Sequence, residues 1–390
     1  MEHDFFFQVK TQLIAGFGVT RYKIKELIED KEMRNIVMLV DSGVAQNSPY
    51  FAEVKVILEE AFESLLVITL RGSEEPDYDY LDKIVEQLRE LAVIDVLIGI
   101  GGGSCLDITK AGAALVTNKG KGIEYRGFDM IKIPPVPTIC IPTTAGTASE
   151  VTINAVFTDK IEMKKLGING RYLESTYAIL DAEWTMSCPK AVAVSAGTDA
   201  LTHTLESFMC NNANPVTRCF SRNAFKLLYD SLPSLVDDPE NIEMRQQILY
   251  GSFMAGIGLF NSGSGISGAF SYPIGVHYKV PHGIGGAIFL ASVAEYNVSR
   301  GYDDYAELVD LVKPNYGGSN IDKSEHFVDM IRGLFQHLGV PNNLSQWGLS
   351  LDDLDTVHGL LIPLQGAFNQ NPIPFNAETD GRELLKKHLV

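Results

Sequence analysis

Residues 93–104, VIDVLIGIGGGS, run a nearly unbroken apolar segment straight into three glycines. An apolar run of that length bounded by glycine reads as a strand buried on both faces, and such strands belong to parallel sheets covered by helices. The preceding segments follow the same grammar. NIVMLVDSG (35–43) is an apolar run ending in a turn, followed by a helical pattern through VKVILEEAFESL. LLVITLRG (65–72) is a further strand, and YLDKIVEQLRELA (80–92) sets Leu81, Ile84, Val85, Leu88 and Leu91 on one helical stripe. PTICIPTTAG (137–146) repeats the strand-to-turn pattern. Strands alternating with amphipathic helices predict an α/β domain with a parallel sheet over residues 1–185.

From residue 186 to 390 the texture changes. VTRCFSRNAFKLLYDSLPSLV, EMRQQILYGSFMAGIGLF and SEHFVDMIRGLFQHLGV carry helical periodicity with few β-branched runs between them, which predicts an all-α second domain. A chain of 390 residues, 45% hydrophobic, suffices for two such cores.

Composition removes several functions. With 32 basic and 49 acidic residues the net charge is −17, and no dense Lys/Arg tract supplies the clustered cations that a phosphate backbone requires, so no nucleic-acid partner is expected. No apolar run approaches the roughly 20 residues that span a bilayer. The opening MEHDFFFQVKTQLIAG lacks the basic and apolar regions of a signal peptide. Five cysteines, odd in number and without a CxxC pair, suit reduced thiols in a cytoplasm.

The chemistry-bearing segments are few. In IGIGGGSCLDITKAGA (98–113) glycines after a buried strand allow close backbone approach, and the amides opening the next helix favour phosphate. Asp107 and Lys110 fall on the opening turns of that helix. Alone, the three glycines suit a plain strand-to-helix turn better than a phosphate site. PTTAGTASEVTINAVFTD (142–159) adds hydroxyls at Thr143, Thr144, Thr147 and Ser149, which suit a ribose or a carboxamide and also local capping. In SAGTDALTHTLESF, Asp199 and His203 lie four apart, so both reach one ion from one helix face, and His282 follows in YKVPHGIGG.

Together, GGGSCLDITK, IPTTAGTASEVT, GTDALTHTLESF and VPHGIGG resemble the iron-containing (group III) alcohol dehydrogenase family. The similarity runs from GFGVTRY (16–22) to NPIPF (371–375). The resemblance implies a dinucleotide-binding α/β domain followed by a helical metal and substrate domain. It implies NAD(P)-dependent interconversion of alcohols with aldehydes or ketones, with a divalent metal. Carried over by position, Asp41 contacts the adenosine ribose; Gly101, Gly102, Gly103 and Ser104 form the pyrophosphate loop, with Asp107 following. Thr143, Thr144 and Thr147 line the nicotinamide half, and Asn154 and Lys165 lie beside the cofactor. An acidic Asp41 pairs with a free ribose 2′-OH and repels a 2′-phosphate, favouring NAD over NADP.

Asp199, His203 and His282 match three of the family's four metal ligands, and the fourth, a histidine, is here Gly268. A second family histidine is replaced by Tyr272. One carboxylate and two imidazoles still form a minimal set for Fe(II) or Zn. Tyr272 and His277 are the candidates for handling the hydroxyl proton. Expected partners are a small alcohol or aldehyde, functionalised and anionic as in phosphonate aldehydes or sugar acids, and a second copy of the chain. The alternative is a dinucleotide-binding protein of the same fold that has lost metal-dependent redox chemistry.

Overall fold

The computed structural model describes residues 4–72 and 75–390. Two compact units emerge. The first comprises Val9–Ala193 with Glu240–Leu249; the second comprises residues 4–8, Val194–Pro239 and Tyr250–Val390. The chain thus passes from one unit to the other at 193/194 rather than at 185/186, and a later segment belongs with the first.

The first unit is built on a six-stranded sheet of β1 (Gln12–Ala15), β2 (Asn35–Asp41), β3 (Ser64–Leu70), β4 (Val96–Gly101), β6 (Thr138–Pro142) and β9 (Tyr177–Leu180), in the order β1-β9-β6-β4-β2-β3. Every pairing in it is parallel. Strand alternation divides the core. Val37, Leu39 and Leu97 point to one face with Leu81, Ile84, Val85 and Leu88, while Ile36, Met38, Val40, Ile98 and Ile100 point to the other with Ile24, Ile28, Val54 and Leu58. The covering helices are α1 (Thr20–Asp30), α2 (Ser42–Asn47), α3 (Pro49–Ala61), α4 (Tyr78–Arg89) and α5 (Gly103–Thr117). The helix expected over 80–92 ends at Arg89, so Leu91 lies beyond it and packs only partly on the core.

A second sheet was not foreseen. β5 (Gly127–Phe128), β8 (Lys164–Asn169) and β7 (Asn154–Asp159) form a three-stranded sheet in which β7 and β8 pair antiparallel. Its strands are short and half-exposed, so they lack the buried apolar run that marks the main sheet.

After β9 the described residues hold no strand. The helices are α6 (Lys190–Met209), α7 (Pro215–Ser231), α8 (Ser234–Asp237), α9 (Ile242–Ser262), α10 (Ile266–Tyr278), α11 (His282–Val298), α12 (Tyr305–Val312), α13 (Asn320–Leu338), α14 (Leu354–Leu361), α15 (Gln365–Phe368) and α16 (Asp380–Lys386). Within the second unit α10 and α11 pack along their length, with the rings of Phe270 and Phe289 4.7 Å apart. Lys279, with φ 62°, ends α10 in a left-handed turn, and Pro281 opens α11. The predicted class, a parallel α/β domain followed by a helical one, is the class observed.

Candidate active site

In the first unit β4 delivers Gly101, Gly102 and Gly103 to the start of α5. The glycines differ in what holds them. A Cβ on Gly101 would lie 2.5 Å from Cys105 Cβ, and one on Gly103 would lie 2.6 Å from Thr147 Oγ1, so close packing excludes side chains at both. Gly102 is more open: its nearest atom would be Thr144 Oγ1 at 3.2 Å. The glycine and threonine loops therefore lie against each other. Thr143 is tied in by its backbone amide, which donates to the Gly101 carbonyl at 3.0 Å.

No side chain caps the N-terminus of α5, whereas α2, α3 and α4 are capped by Asp41, Ser48 and Asp77. Uncapped first-turn amides with an exposed Ser104 beside them suit an anion. Asp41 stands at the end of β2, where its Oδ1 accepts from the amides of Gly43 (2.8 Å) and Val44 (3.4 Å).

Three of the residues expected beside the cofactor, Asp107, Asn154 and Lys165, also hold protein partners. Asp107 accepts from Ser149 Oγ at 2.5 Å and from the Val156 amide at 2.9 Å, and lies 3.6 Å from the Lys110 ammonium. It thereby fastens α5 to the threonine loop and to β7. Lys110 is buried and donates to the carbonyls of Thr152 and Asn154. Burial pushes the Asp107 carboxyl up and the Lys110 ammonium down, and each restrains the shift of the other. Asn154 donates from Nδ2 to Asn169 Oδ1 at 2.7 Å, and Lys165 pairs with Glu75.

In the second unit the three predicted ligands converge. Asp199 and His203 share one face of α6, and His282 is the first residue of α11. Nε2 of His203 and of His282 lie 3.6 and 3.8 Å from Asp199 Oδ1. One donor atom from each residue falls within 4.8 Å of the others. These separations exceed hydrogen bonds, yet they approach the about 3.4 Å expected between two tetrahedral ligands each about 2.1 Å from one ion. Among the described residues this is the one group of three or more His, Cys, Asp or Glu side chains placed to hold a metal. The donor set, one carboxylate and two imidazoles, fits Fe(II) or Zn.

Gly283 explains how α11 comes so close. A Cβ there would collide with the Ser195 carbonyl and sit 2.9 Å from Asp199 Cβ, so only glycine lets the start of α11 reach α6.

Gly268 opens onto Glu206, which sequence reasoning missed although it follows His203 by three on the same helix. Glu206 Oε1 accepts from the Gly268 amide at 2.8 Å, and a Cβ on Gly268 would lie 2.9 Å from Oε2. The Glu206 carboxyl is fully buried and pushed up by burial, offset by the amides of Gly268, Gly265 and Ser267 and by His203. Thus a carboxylate from α6 does the work of a cap for α10, which has no side-chain cap of its own. Tyr272 packs its ring on His282, centroids 4.9 Å apart, and is partly exposed. His277 is exposed in the last turn of α10, outside the group of potential ligands.

Comparison with known proteins decides the family. "Iron-containing alcohol dehydrogenase" matches residues 11–182, and "Fe-containing alcohol dehydrogenase family, C-terminal" matches residues 193–388. The chain belongs to the iron-containing alcohol dehydrogenase family. It is 31% identical over 367 residues to the sulfoacetaldehyde reductase of Bilophila wadsworthia (strain 3_1_6), covering 93% of each chain. It is 32% identical over 262 residues to the NAD-dependent methanol dehydrogenase of Bacillus methanolicus, covering 67% of this chain and 69% of that one. A crystal structure of 1,3-propanediol oxidoreductase superposes with a TM-score of 0.91 at 25% identity, covering 99% of this chain and all of the other. As a member of the iron-containing alcohol dehydrogenases, the chain is an NAD(P)-dependent oxidoreductase that interconverts an alcohol with an aldehyde or ketone. Among its described residues no helix is long and apolar enough to cross a membrane.

Proposed function

We propose that this alcohol dehydrogenase uses NAD in preference to NADP and acts on a short aldehyde, or the corresponding alcohol, that carries an anionic group. The observation that carries the substrate class is the 31% identity over 93% of the chain to a sulfoacetaldehyde reductase. Exposed Lys279, held at the end of α10 in a left-handed turn, is the cation offered to that group. For the cofactor, Asp41 at the end of β2 meets the adenosine ribose and opposes a 2′-phosphate, while Gly101, Gly102, Gly103 and Ser104 receive the pyrophosphate at the uncapped start of α5. Thr143, Thr144 and Thr147 face the nicotinamide half, and Asn154 and Lys165 flank it. Asp107 serves by fastening the two loops rather than by touching the cofactor, since its carboxylate is taken by Ser149, Val156 and Lys110.

Asp199, His203 and His282 hold a divalent cation, Fe(II) or Zn, which supplies Lewis-acid polarisation of the substrate oxygen. Hydride transfer further requires that the carbinol carbon be positioned and that the hydroxyl proton have a route. Tyr272, whose ring lies against His282, is the first candidate to exchange that proton, and His277 is the second. We read the active form as a cytoplasmic homodimer. The edge strand β1 exposes Leu13, which a second copy is suited to cover, and the five cysteines are all unpaired.

The test is NADH and NADPH oxidation with two-carbon aldehydes bearing sulfonate or phosphonate, against neutral aldehydes of equal length. The expected result is kcat/KM at least about tenfold higher for the anionic aldehydes, with NADH preferred and the preference narrowed in Asp41→Ala. A neutral aldehyde turned over best would overturn the substrate class. A wild type that prefers NADPH would overturn the role of Asp41.

A further inference from the structure

Ser271 lies on α10 three residues after the glycine that replaces the family's fourth ligand, and it is buried. Its Oγ is 2.6 Å from the Gly268 carbonyl and 2.7 Å from His282 Nδ1. A hydroxyl has one proton to give. Two oxygens 2.6 Å apart need a proton between them, so the serine donates to the carbonyl and only its lone pairs face the imidazole. His282 must then donate from Nδ1, which makes Nε2 the lone-pair atom. That nitrogen is the one directed at Asp199 Oδ1, 3.8 Å away. A second contact restricts the ring: Tyr272, the next residue along α10, packs on it at 52°.

We propose that Ser271 is a positioning residue that fixes His282 in its Nδ1–H tautomer and so presents Nε2 to a divalent cation alongside Asp199 and His203. The inference rests on the metal reading given above and adds the device that orients one of its ligands. Its logic follows from the incomplete donor set. With Gly268 supplying no imidazole, each remaining ligand carries a larger share of the affinity, and an imidazole in the wrong tautomer presents N–H to the ion. Ser271 ties the backbone of the vacated position to the ring of the remaining ligand.

The experiment has two readouts. In metal-free protein with ¹⁵N-labelled histidine, two-bond ¹H–¹⁵N spectra report the tautomer of each ring, and His282→Gln assigns the His282 signals. The expected wild-type result is the Nδ1–H form of His282, giving way to a mixture or to Nε2–H in Ser271→Ala. An Nε2–H wild type, or an unchanged tautomer in Ser271→Ala, overturns the proposal. Co²⁺ affinity, measured by competition with a chelator, is expected to fall about 10–100-fold in Ser271→Ala and to be partly restored in Ser271→Thr. An affinity within twofold of wild type in Ser271→Ala overturns it as well. If Ser271→Ala does not fold, the wild-type tautomer alone decides. Failure of the wild type to bind Co²⁺ at all would sink the metal reading separately, whatever the tautomer.

Discussion

The glycine loop of the first unit and the donor triad of the second are built on opposite plans. At the glycine loop the groups proposed to meet the cofactor are backbone amides, and the protein's task is to keep side chains away. Cys105 and Thr147 already fill the space beside Gly101 and Gly103, so those glycines are required by the fold before any cofactor is considered. At the triad the groups proposed to meet the metal are side chains from α6 and α11, and the protein's task is to aim them. There glycine acts at a distance: Gly283 lets two helices approach, and Gly268 leaves room for Glu206. A glycine is therefore no evidence of a ligand until its neighbours are known.

The two plans part most visibly at Gly102, the one member of the triplet with slack. Its Cβ would meet only the Thr144 side chain, Oγ1 at 3.2 Å and Cγ2 at 3.6 Å, so Gly102→Val should fold while its branched side chain stands before the α5 amides. We expect NAD affinity to fall at least about a hundredfold by calorimetry, with the melting temperature within about 3 °C of wild type. Gly101→Val, pressed on Cys105 Cβ at 2.5 Å, should instead lose about 1–3 kcal/mol or more of stability. Equal melting temperatures for the two variants would show that the loop yields, and the contrast drawn between its glycines would fail.

The two plans were unequally legible. Four of the six strands of the main sheet, β2, β3, β4 and β6, could be read because buried parallel strands leave apolar runs such as VLIGIG, and α4 because its apolar residues keep helical spacing. β1 and β9, four residues each, are too short to leave such a run. The β7–β8 hairpin escaped because its strands are short and half-exposed, so no run marks them. Asp199 and His203 announced themselves by a spacing of four on one helix. His282 could be noted in YKVPHGIGG, but its match to a ligand position came with the family resemblance, because its approach depends on Gly283 meeting Ser195 across two helices. Asp107 resembled a cofactor contact by position; its tie to Ser149 and Val156 is a long-range fact that no local pattern carries. Glu206 and Ser271 were invisible for the same reason, since each acts through a backbone group distant in sequence or on a neighbouring turn.

A smaller effect is expected where the second plan has a gap. Gly268→His places an imidazole where the resemblance implies the family's fourth ligand, but its Cβ would press on Glu206 Oε2 at 2.9 Å while Oε1 is held by the Gly268 amide. Metal-free Gly268→His should therefore lose about 1–3 kcal/mol, visible as a fall of several degrees in melting temperature. Saturating Zn²⁺ should raise that variant's melting temperature more than it raises the wild type's, because a tighter ligand stabilises the native state by mass action. An unchanged metal-free melting temperature would mean that Glu206 moves aside freely and that the gap is not guarded by packing.

Glu150 tests whether the first region depends on backbone alone. Glu150, in the threonine loop, is fully buried, and burial pushes its carboxyl up to about 7, offset by its own backbone amide and by Lys110. A carboxyl whose folded pKa is raised favours the native state while protonated. That contribution is fully present below the ordinary value of 4.5 and is lost as pH rises through about 7. Glu150→Gln keeps the shape and removes the titration. Relative to wild type, the variant should therefore gain about 1–3 kcal/mol between pH 4.5 and pH 8 in urea unfolding, most of it between pH 5 and 8. A difference flat across that range would place the Glu150 charge in firm partnership with Lys110 at every pH. The packing behind the glycine loop would then be a settled ion pair, and the backbone plan would need no titrating group beneath it.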